Sequence, residues 1–465
     1  MRQNRWVILG YVAAVLMFFV VAAYVVLFAT GYKFDWTTKT LKKTGFLLIE
    51  TYPKGANLKV AGRKAGTTPV TVKRLLPGDY LVEIEREGYR PWKATLGVTS
   101  GLVTEKRNTL LTLKNLSSEV ALDKTVGSFA LAPDRSRVAV VTNGEVSLLN
   151  IQDKTTSTIL APTLILQQVK GLDGRDIASG KIISLAFGPD NRMLILDIQG
   201  KRNLYHLMLN ADTGTMSLLS KGILTRIFWI NSTDLILLQN SKLYFARTDG
   251  APKVVADKII DCSVVDGAVY AINQDQFGKH FLLKVEKDGT TKTEAENLPV
   301  AKSYQLAKMD GGWMLITSSG GPESIWISAR TEGKLVWDKL ASNVTSRVLW
   351  DNDYLVYQSG SDLMVVEAKQ KTGEPRAVAR GSGWDFVHFG FDTLLYVDNG
   401  KLRSVDITGR NKYELFPLNS SSRVDVLSSQ MSQLIYIGTD KKLYTIKLRE
   451  ETAGLLDLGK LNPIG

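Results

Sequence analysis

The side chains best suited to nucleophilic or acid–base chemistry are scarce in this sequence. It contains three histidines, His206, His280 and His388, and one cysteine, Cys262. Each histidine lies in or beside an apolar, strand-like run, which favours a structural role. We expect His280, which follows Lys279, to be exposed. A single cysteine excludes an intramolecular disulfide and any site built from several cysteines, and we expect Cys262 to be a small buried core residue.

Motifs that mark catalytic, phosphate or metal sites are absent or imperfect. The sequence contains neither a Gly-x-Ser-x-Gly nucleophile elbow nor a His-Glu-x-x-His metal site. Residues 174–181 superficially resemble a phosphate-binding loop, but the glycines are one residue too far apart and Ile182 replaces the required Ser or Thr. The acidic run 351–353 is too short for a calcium loop and reads as a polar turn. The sequence therefore predicts no catalytic residue, no metal, no cofactor and no enzyme activity.

Exposed aromatic side chains are the remaining candidates for a binding site. Trp313 follows two glycines, and Trp384 follows Gly-Ser-Gly. Both are expected to project from turns, where an aromatic ring can stack on a sugar or a peptide. By contrast, Trp229, Trp326 and Trp350 lie within strand patterns and are predicted to be core residues.

The positive charge is concentrated near the N-terminus. The chain carries a net charge of +12, and residues 1–115 contain 18 Lys/Arg against 7 Asp/Glu, which leaves the remainder close to neutral. A uniformly basic protein would suggest nucleic acid, which we do not expect here. A basic N-terminal part suggests attraction to anionic lipid headgroups or an anionic wall polymer, or else a solvated surface without a partner.

Residues 6–30 form an uncharged apolar run. As a helix they span roughly 37 Å, enough to cross a hydrocarbon core of about 30 Å. Basic residues before the run favour a cytoplasmic N-terminus, so residues 1–5 are predicted to be a cytoplasmic stub and 6–30 a single transmembrane helix. The predicted membrane-interface anchors are Arg2, Arg5, Trp6, Tyr32, Lys33, Phe34 and Trp36.

A cleaved signal peptide is the competing interpretation of this run. Its apolar core would span about 7–15 residues and end at a small-residue cleavage site. The run here is longer and no clear cleavage signal follows it, which favours a retained anchor at the cell membrane with the bulk of the chain extracytoplasmic.

After a basic juxtamembrane linker (31–43), residues 44–115 alternate short strands with glycine- and proline-containing turns. This pattern predicts a small antiparallel β-sandwich. The order of the turn residues resembles the PEGA domain, with Lys54 where the name-giving Glu would stand. The residues that carry the resemblance are Pro53, Gly55, Ala56, Gly62, Gly66, Thr68, Pro69, Pro77, Gly78, Tyr80, Gly88 and Tyr89. The resemblance implies a non-catalytic surface module of an exported prokaryotic protein.

A repeat of about 40 residues dominates residues 120–460. Its eight onsets lie near residues 129, 185, 227, 262, 304, 348, 386 and 426. This period, with about four short strands per repeat, predicts a β-propeller of eight four-stranded blades, or seven if the copy near Cys262 is misread. The longer first interval indicates a loop insertion over residues 163–181. Stacked sandwiches are the all-β alternative.

Two turns in these repeats carry a Pro-Asp pair, Pro133-Asp134 and Pro189-Asp190. They resemble the propeller repeats of Tol-associated (WD-like) and prolyl-peptidase proteins, which implies a propeller and nothing more specific.

Together these patterns predict an all-β, membrane-anchored, non-enzymatic binding or scaffold protein of the prokaryotic cell envelope. Its propeller face would bind a protein or polysaccharide partner. Two alternatives stay open. One is an extracytoplasmic hydrolase or lyase with a site in the propeller funnel, and the other is a ligand sensor acting through a membrane partner.

Overall fold

The computed structural model describes residues 3–151, 153–161, 169, 172–177, 180–309, 312–331, 334–350, 354–367, 374–381, 384–418, 420–427 and 432–449. The described chain divides into two compact units. The first holds the residues up to 116 together with 391–393 and 448–449. The second holds residues 117–390 and 394–447.

Helix α1 (Gln3–Ala29) carries the apolar run. Its segment Trp6–Ala29 is long and apolar enough to cross a membrane, and none of it is buried in the protein. A retained membrane span and a cleavable signal sequence both meet these criteria. Of the predicted anchors, Arg2 lies outside the described residues, as does the side chain of Arg5, whereas Trp6 is exposed on the helix.

The predicted juxtamembrane linker is a folded hairpin of β1 (Tyr32–Asp35) and β2 (Thr40–Lys43). The carboxylate of Asp35 accepts hydrogen bonds from the backbone N–H of Thr37 (3.0 Å), the hydroxyl of Thr38 (2.8 Å) and the ammonium of Lys42 (2.8 Å). Led by Lys42, these donors hold the pKa of Asp35 well below its usual range. The anchors Tyr32, Lys33, Phe34 and Trp36 all lie on or beside this hairpin.

The rest of the first unit is a sandwich of two sheets. The three-stranded sheet has the order β6-β3-β9, with β3 (Gly45–Tyr52), β6 (Val70–Leu75) and β9 (Val103–Leu110). The four-stranded sheet has the order β5-β4-β7-β8, with β4 (Asn57–Val60), β5 (Arg63–Thr67), β7 (Gly78–Glu85) and β8 (Trp92–Val98). Leu47, Ile49, Leu58, Val82 and Ile84 fill the space between them and are fully buried.

The prediction of a purely antiparallel sandwich is wrong in one pairing, because β3 and β9 run parallel. The connection after β8 carries the chain to the other sheet, so β9 enters beside β3 in the same direction. Alternating burial looks the same in parallel and antiparallel strands, so the sequence pattern could not distinguish the two.

The second unit is built from seven sheets within the described residues. In each, the strand order follows the chain, apart from the extra strand β10 in sheet 7. Sheet 1 contains β11 (Val126–Leu131), β12 (Arg137–Thr142), β13 (Glu145–Asn150) and β14 (Thr156–Leu160). Sheet 2 contains β15 (Lys181–Phe187), β16 (Met193–Gln199), β17 (Leu204–Asn210) and β18 (Met216–Lys221). Sheet 3 contains β19 (Arg226–Trp229), β20 (Asp234–Gln239), β21 (Lys242–Arg247) and β22 (Lys253–Ala256).

The remaining sheets continue the same meander, with one longer member. Sheet 4 contains β23 (Ile259–Val265), β24 (Ala268–Gln274), β25 (His280–Val285) and β26 (Thr291–Leu298). Sheet 5 contains β27 (Ser303–Met309), β28 (Gly312–Ser318), β29 (Glu323–Thr331), β30 (Lys334–Trp350), β31 (Tyr354–Ser359), β32 (Asp362–Glu367) and β33 (Arg376–Arg380). Sheet 6 contains β34 (Trp384–Gly390), β35 (Thr393–Asp398), β36 (Lys401–Asp406) and β37 (Tyr413–Pro417). Sheet 7 joins β10 (Ser118–Leu122) to β38 (Ser420–Val426), β39 (Gln433–Gly438) and β40 (Leu443–Lys447).

Within these sheets, burial is greatest in the second strands and least in the fourth strands. The second strands, such as β12, β20 and β35, are buried along most of their length. The fourth strands, such as β14 and β22, are largely exposed. A strand buried on both faces must lie between two neighbouring layers, so each sheet depends on the next one for its core.

Consecutive sheets share their apolar cores. Common clusters join sheets 1 and 2, 2 and 3, 3 and 4, 4 and 5, and 5 and 6. Another cluster joins the last sheet to the first, because Ile435 and Leu443 of sheet 7 pack with Phe129 and Val140 of sheet 1. The first and the last sheet of the series therefore share one apolar core.

The long connection between β14 and β15 contains the short helix α2 (Gly174–Ile177). Its buried Asp176 accepts hydrogen bonds from the backbone N–H of Arg202 (2.6 Å), the amide of Asn203 (2.7 Å) and the hydroxyl of Tyr205 (2.8 Å). These bonds, led by that from Asn203, lower the pKa of Asp176 to about 2. The insertion is thus tied to sheet 2 by a charged group that stays ionised.

The shared core of sheets 7 and 1 predicts energetic coupling across residues almost 300 positions apart in sequence. Ile435→Ala and Val140→Ala should each lower the free energy of unfolding, Ile435→Ala by about 2–5 kcal/mol. The loss measured for the double variant should differ from the sum of the two single losses by about 0.5 kcal/mol or more. Chemical denaturation of the full chain in detergent measures these values. The matched pair Ile435→Ala with Ile236→Ala, which lies in another core, should be additive; equal coupling in both pairs contradicts the interpretation.

Candidate binding groove and polar cluster

A buried carboxylate connects three sheets of the second unit. Asp261 on β23 is 1% exposed and forms a two-pronged ion pair with Arg226 on β19, with Nε–Oδ1 and Nη2–Oδ2 distances of 2.9 and 3.0 Å. Its oxygens also accept the backbone N–H groups of Cys262 (2.9 Å) and Tyr304 (2.7 Å), the latter on β27. Each oxygen therefore has two donors, and the group serves to join sheets 3, 4 and 5.

A histidine and a tyrosine extend this cluster. The Tyr304 hydroxyl contacts Nδ1 of His280, accepts the N–H of Ala301 (2.7 Å) and donates to the carbonyl of Pro299 (2.9 Å). Burial raises the pKa of Tyr304 to about 12 and lowers that of His280. Both groups are therefore neutral at pH 7 and inaccessible to a substrate.

The expectation that His280 is exposed is wrong, since the residue is buried. It begins β25, and side chains alternate between the two faces of a strand, so Lys279 points to solvent while His280 turns to Tyr304. The local sequence could not show that a tyrosine 24 positions later would receive the ring.

The three histidines lie in three different sheets. His206 on β17 places Nδ1 2.6 Å from Asp197 and Nε2 3.0 Å from the carbonyl oxygen of Gly222. His388 lies on β34, where burial and, to a lesser extent, the charge of Arg135 lower its pKa to about 4. Among the residues that the structure describes, no group of three or more His, Cys, Asp or Glu side chains could hold a metal ion.

Glu323 is the member of the polar cluster with an accessible carboxyl. It begins β29 and is half-buried. Burial raises its pKa, and the charge of Arg226 partly opposes that shift. A carboxyl whose pKa is raised beside an arginine is the combination that acid–base chemistry uses.

A groove of ≈ 390 Å³ lies at the outer side of sheets 4 and 5. The end of sheet 4 supplies Asn297 and Pro299, and the hairpin β29–β30 supplies Trp326, Leu335, Val336 and Trp337. Five of the six lining residues are apolar, two of them tryptophans, but polar atoms supply a large part of the exposed lining surface.

The two tryptophans of the groove are held differently. The indole N–H of Trp326 donates to the hydroxyl of Thr317 (3.0 Å), and the ammonium of Lys339 lies 4.8 Å from the centre of its ring. The indole N–H of Trp337 is buried and has no acceptor among the described residues. An unpaired buried donor costs about 1–3 kcal/mol.

One of the two aromatic residues predicted to be exposed is buried. Trp313 is 7% exposed and packs edge-on against Tyr270, with ring centres 4.7 Å apart. The preceding Gly312 is needed for a close strand approach rather than for a projecting turn, because a Cβ there would lie 2.4 Å from the carbonyl oxygen of Ser328. Trp384 begins β34, but its side chain lies outside the described residues. Trp326, predicted to be core, is half-buried: it packs against the core shared by sheets 4 and 5 and also lines the groove.

The motif residues of the first unit are structural. The glycines at 55, 62, 66, 78 and 88 all have positive φ, which explains their type. The Thr68 hydroxyl accepts the N–H of Ala56 (3.0 Å), and Tyr80 donates to the carbonyl of Leu76 (2.8 Å). The other motif residues lie in the same turns and core: Pro53, Pro69, Pro77 and Tyr89.

Residues 44–114 match the PEGA domain. This confirms the resemblance seen in the turn residues. No curated protein sequence matches the chain.

Several solved structures are similar to this chain at low identity. A Dos1 propeller has 9% identity and a TM-score of 0.49, covering 72% of this chain and 95% of its own. A prolyl endopeptidase structure has 12% identity and a TM-score of 0.41, covering 72% and 56%. An oligogalacturonate lyase in complex with manganese has 11% identity and a TM-score of 0.37, covering 73% and 93%.

The role of Asp261 as a connector predicts a large loss of stability on its replacement. Asp261→Asn should lower the free energy of unfolding by about 3 kcal/mol, since it leaves a partly buried guanidinium without its counter-charge. Denaturant titration of the full chain in detergent measures this loss. Asp362→Asn is the matched control: it breaks another two-pronged pair, with Arg380, whose guanidinium is exposed. Equal losses in the two variants would refute the connector role.

Proposed function

We propose that this chain is a single-pass membrane-anchored binding protein of the prokaryotic cell envelope, with both folded units on the extracytoplasmic side. The second unit is a closed eight-bladed β-propeller that binds a protein partner in the groove of Trp326 and Trp337. The observation that carries the binding role is this apolar, tryptophan-lined groove.

Strand pairing in sheet 5 supports a count of eight blades. The first part of β30, up to Val344, pairs with β29, and the part from Val344 to Trp350 pairs with β31. β30 therefore serves as the fourth strand of one blade and the first strand of the next. Sheet 5 then supplies two blades, and the other six sheets supply one each.

The completion of sheet 7 supports closure of the ring. Its outer strand β10 comes from the start of the second unit and pairs with β40 from the end. This arrangement joins the two ends of the repeat region through backbone hydrogen bonds, and the core shared with sheet 1 adds apolar contacts. A closed ring leaves no sheet without a neighbour.

The chemistry of the groove favours a protein over a polysaccharide. Pro299, Leu335 and Val336 lie beside the indole rings, and Asn297 supplies the polar amide. A proline-containing segment offers apolar rings that can pack against the two indoles.

The anchor is tested with a C-terminal tag on the full chain in intact cells. We expect the tag to sediment with membranes and to be removed by protease added outside, since Arg2 and Arg5 favour a cytoplasmic N-terminus. A tag protected in intact cells contradicts the orientation. A tag released into the medium contradicts the retained anchor and supports a cleaved signal sequence.

The groove is tested with an oligoproline peptide and with a soluble glucan, each titrated into the detergent-solubilised full chain. We expect the peptide to bind and Trp326→Ala or Trp337→Ala to weaken it roughly tenfold or more, the effect of about 1.4 kcal/mol. Trp36→Ala removes an exposed tryptophan outside the second unit and is the matched control. Glucan binding that the same two variants abolish would favour the polysaccharide. Loss in the control, or binding of neither probe, removes the groove as the site.

The second candidate function is that of a hydrolase or lyase. It is favoured by Glu323, whose pKa is raised beside Arg226. In this case Glu323 would serve as an acid and Arg226 would stabilise negative charge on the substrate. A hydrolytic or eliminating activity on envelope polymers that Glu323→Gln abolishes without loss of stability would establish it over the binding role.

A further inference from the structure

The loops of the second unit fall on two edges of its sheets, because consecutive strands run antiparallel. One edge, which we call the upper edge, holds two kinds of connection. They are the connection from the second to the third strand of each sheet and the connection from the fourth strand to the next sheet. The other connections form the lower edge. The chain enters at the lower edge, since Ser118 at the start of β10 pairs with Ile446 near the end of β40.

Three loops at the upper edge expose a large apolar side chain. They connect β18 to β19, β24 to β25 and β26 to β27. The exposed residues are Ile223 (79%), Phe277 (77%) and Val300 (68%). Each stands two positions from a lysine; these are Lys221, Lys279 and Lys302. A repeated pairing of an apolar tip with a cation is unlike the isolated exposed apolar residues that most surfaces carry.

More cations belong to the same edge between β16 and β27. The full set, all exposed, is Lys201, Arg202, Lys221, Lys242, Lys258, Lys279 and Lys302. The carboxylates on this stretch are Asp257, Asp275 and Glu296. No ion pair among the described residues includes any of the seven cations, so their charge is available to a partner.

Several cations on the lower edge of sheets 1 to 4 do have carboxylate partners. Arg137 and Arg192 contact Asp212, at 3.0 and 3.7 Å. Lys287 pairs with Asp234, and Arg247 lies 3.9 Å from the same residue. These four lower-edge cations are therefore paired with carboxylates, whereas the seven exposed upper-edge cations between β16 and β27 are not, within the described part of the chain.

We propose that the upper edge from β16 to β27 docks on an anionic lipid bilayer. Ile223, Phe277 and Val300 enter the headgroup region, and the seven cations contact lipid phosphates. Loop tips at one edge of a sheet series suit a broad, deformable surface. A soluble polyanion would use the cations but leave the apolar tips in water, whereas a bilayer satisfies both. This contact goes beyond the proposed groove and uses different side chains.

Vesicle capture tests the contact with the full chain held in neutral phosphatidylcholine nanodiscs. We expect capture of vesicles that contain phosphatidylglycerol and no capture of pure phosphatidylcholine vesicles. Capture should weaken as salt is added, because exposed charges are screened. Equal capture of both kinds of vesicle, or of neither, overturns the proposal.

Charge variants locate the contact. Replacing Lys221, Lys279 and Lys302 together by Gln should weaken vesicle binding roughly a hundredfold, at about 1 kcal/mol per cation. The matched control replaces three exposed lower-edge cations, Lys253, Arg410 and Lys412, by Gln and should leave binding unchanged. Equal weakening by both triple variants means only general charge attraction and overturns the proposal. The thermal midpoint of each variant checks that the fold is retained.

Apolar variants separate a bilayer from other polyanions. Phe277→Ser with Ile223→Ser keeps the charge but should weaken vesicle binding roughly tenfold or more. Unchanged vesicle binding by this variant, together with equally tight binding of soluble polyglutamate, assigns the edge to a polyanion and overturns the bilayer. Trp326→Ala should capture vesicles normally. A result that excludes the groove as a binding site is therefore distinguishable from a result that excludes the upper edge.

Discussion

The second unit depends on burial of its second strands on both faces. Strands such as β12, β20 and β35 are apolar along almost their whole length. No sheet can cover both of its faces by itself, so each must lie between two others, and a series of such sheets has unsatisfied faces at its ends. The core that joins Ile435 to Phe129 places the last sheet against the first. The repeat, the order of the sheets and the use of β10 as an added strand all follow from this requirement.

Polar groups inside this packing are used to join sheets. Asp261 has a donor for every strong acceptor position, and Tyr304 and His280 are neutral and enclosed. Buried polar groups that are fully paired make an arrangement specific but leave nothing to react. What can act on a partner is therefore at the margins of the sheets: Glu323 at a strand start, the tryptophan groove, and the loops of the upper edge.

The near-neutral charge of the second unit conceals an uneven distribution. Turn carboxylates on the lower edge bind backbone donors and neighbouring cations; Asp234, for example, lies against both Lys287 and Arg247. The seven exposed upper-edge cations between β16 and β27 have no such partners among the described residues. A sum over the sequence adds these two populations together, and only their assignment to opposite edges gives them a physical meaning.

The sequence by itself determined the long apolar helix, the PEGA domain and the repeat of strands, because each is encoded by local spacing: an uncharged run, glycines at positions of positive φ, and apolar strands every 40 residues or so. Tertiary structure alone decided the parallel pairing of β3 with β9, the burial of Trp313 and His280, and the exposure of Trp326 in a groove. These features depend on which distant strand lies opposite a residue. Gly312 illustrates the difference: its type suggested a turn, but the constraint comes from the backbone of Ser328 on the adjacent strand. Local pattern fixes which face of a strand a side chain occupies, whereas packing fixes what that face meets.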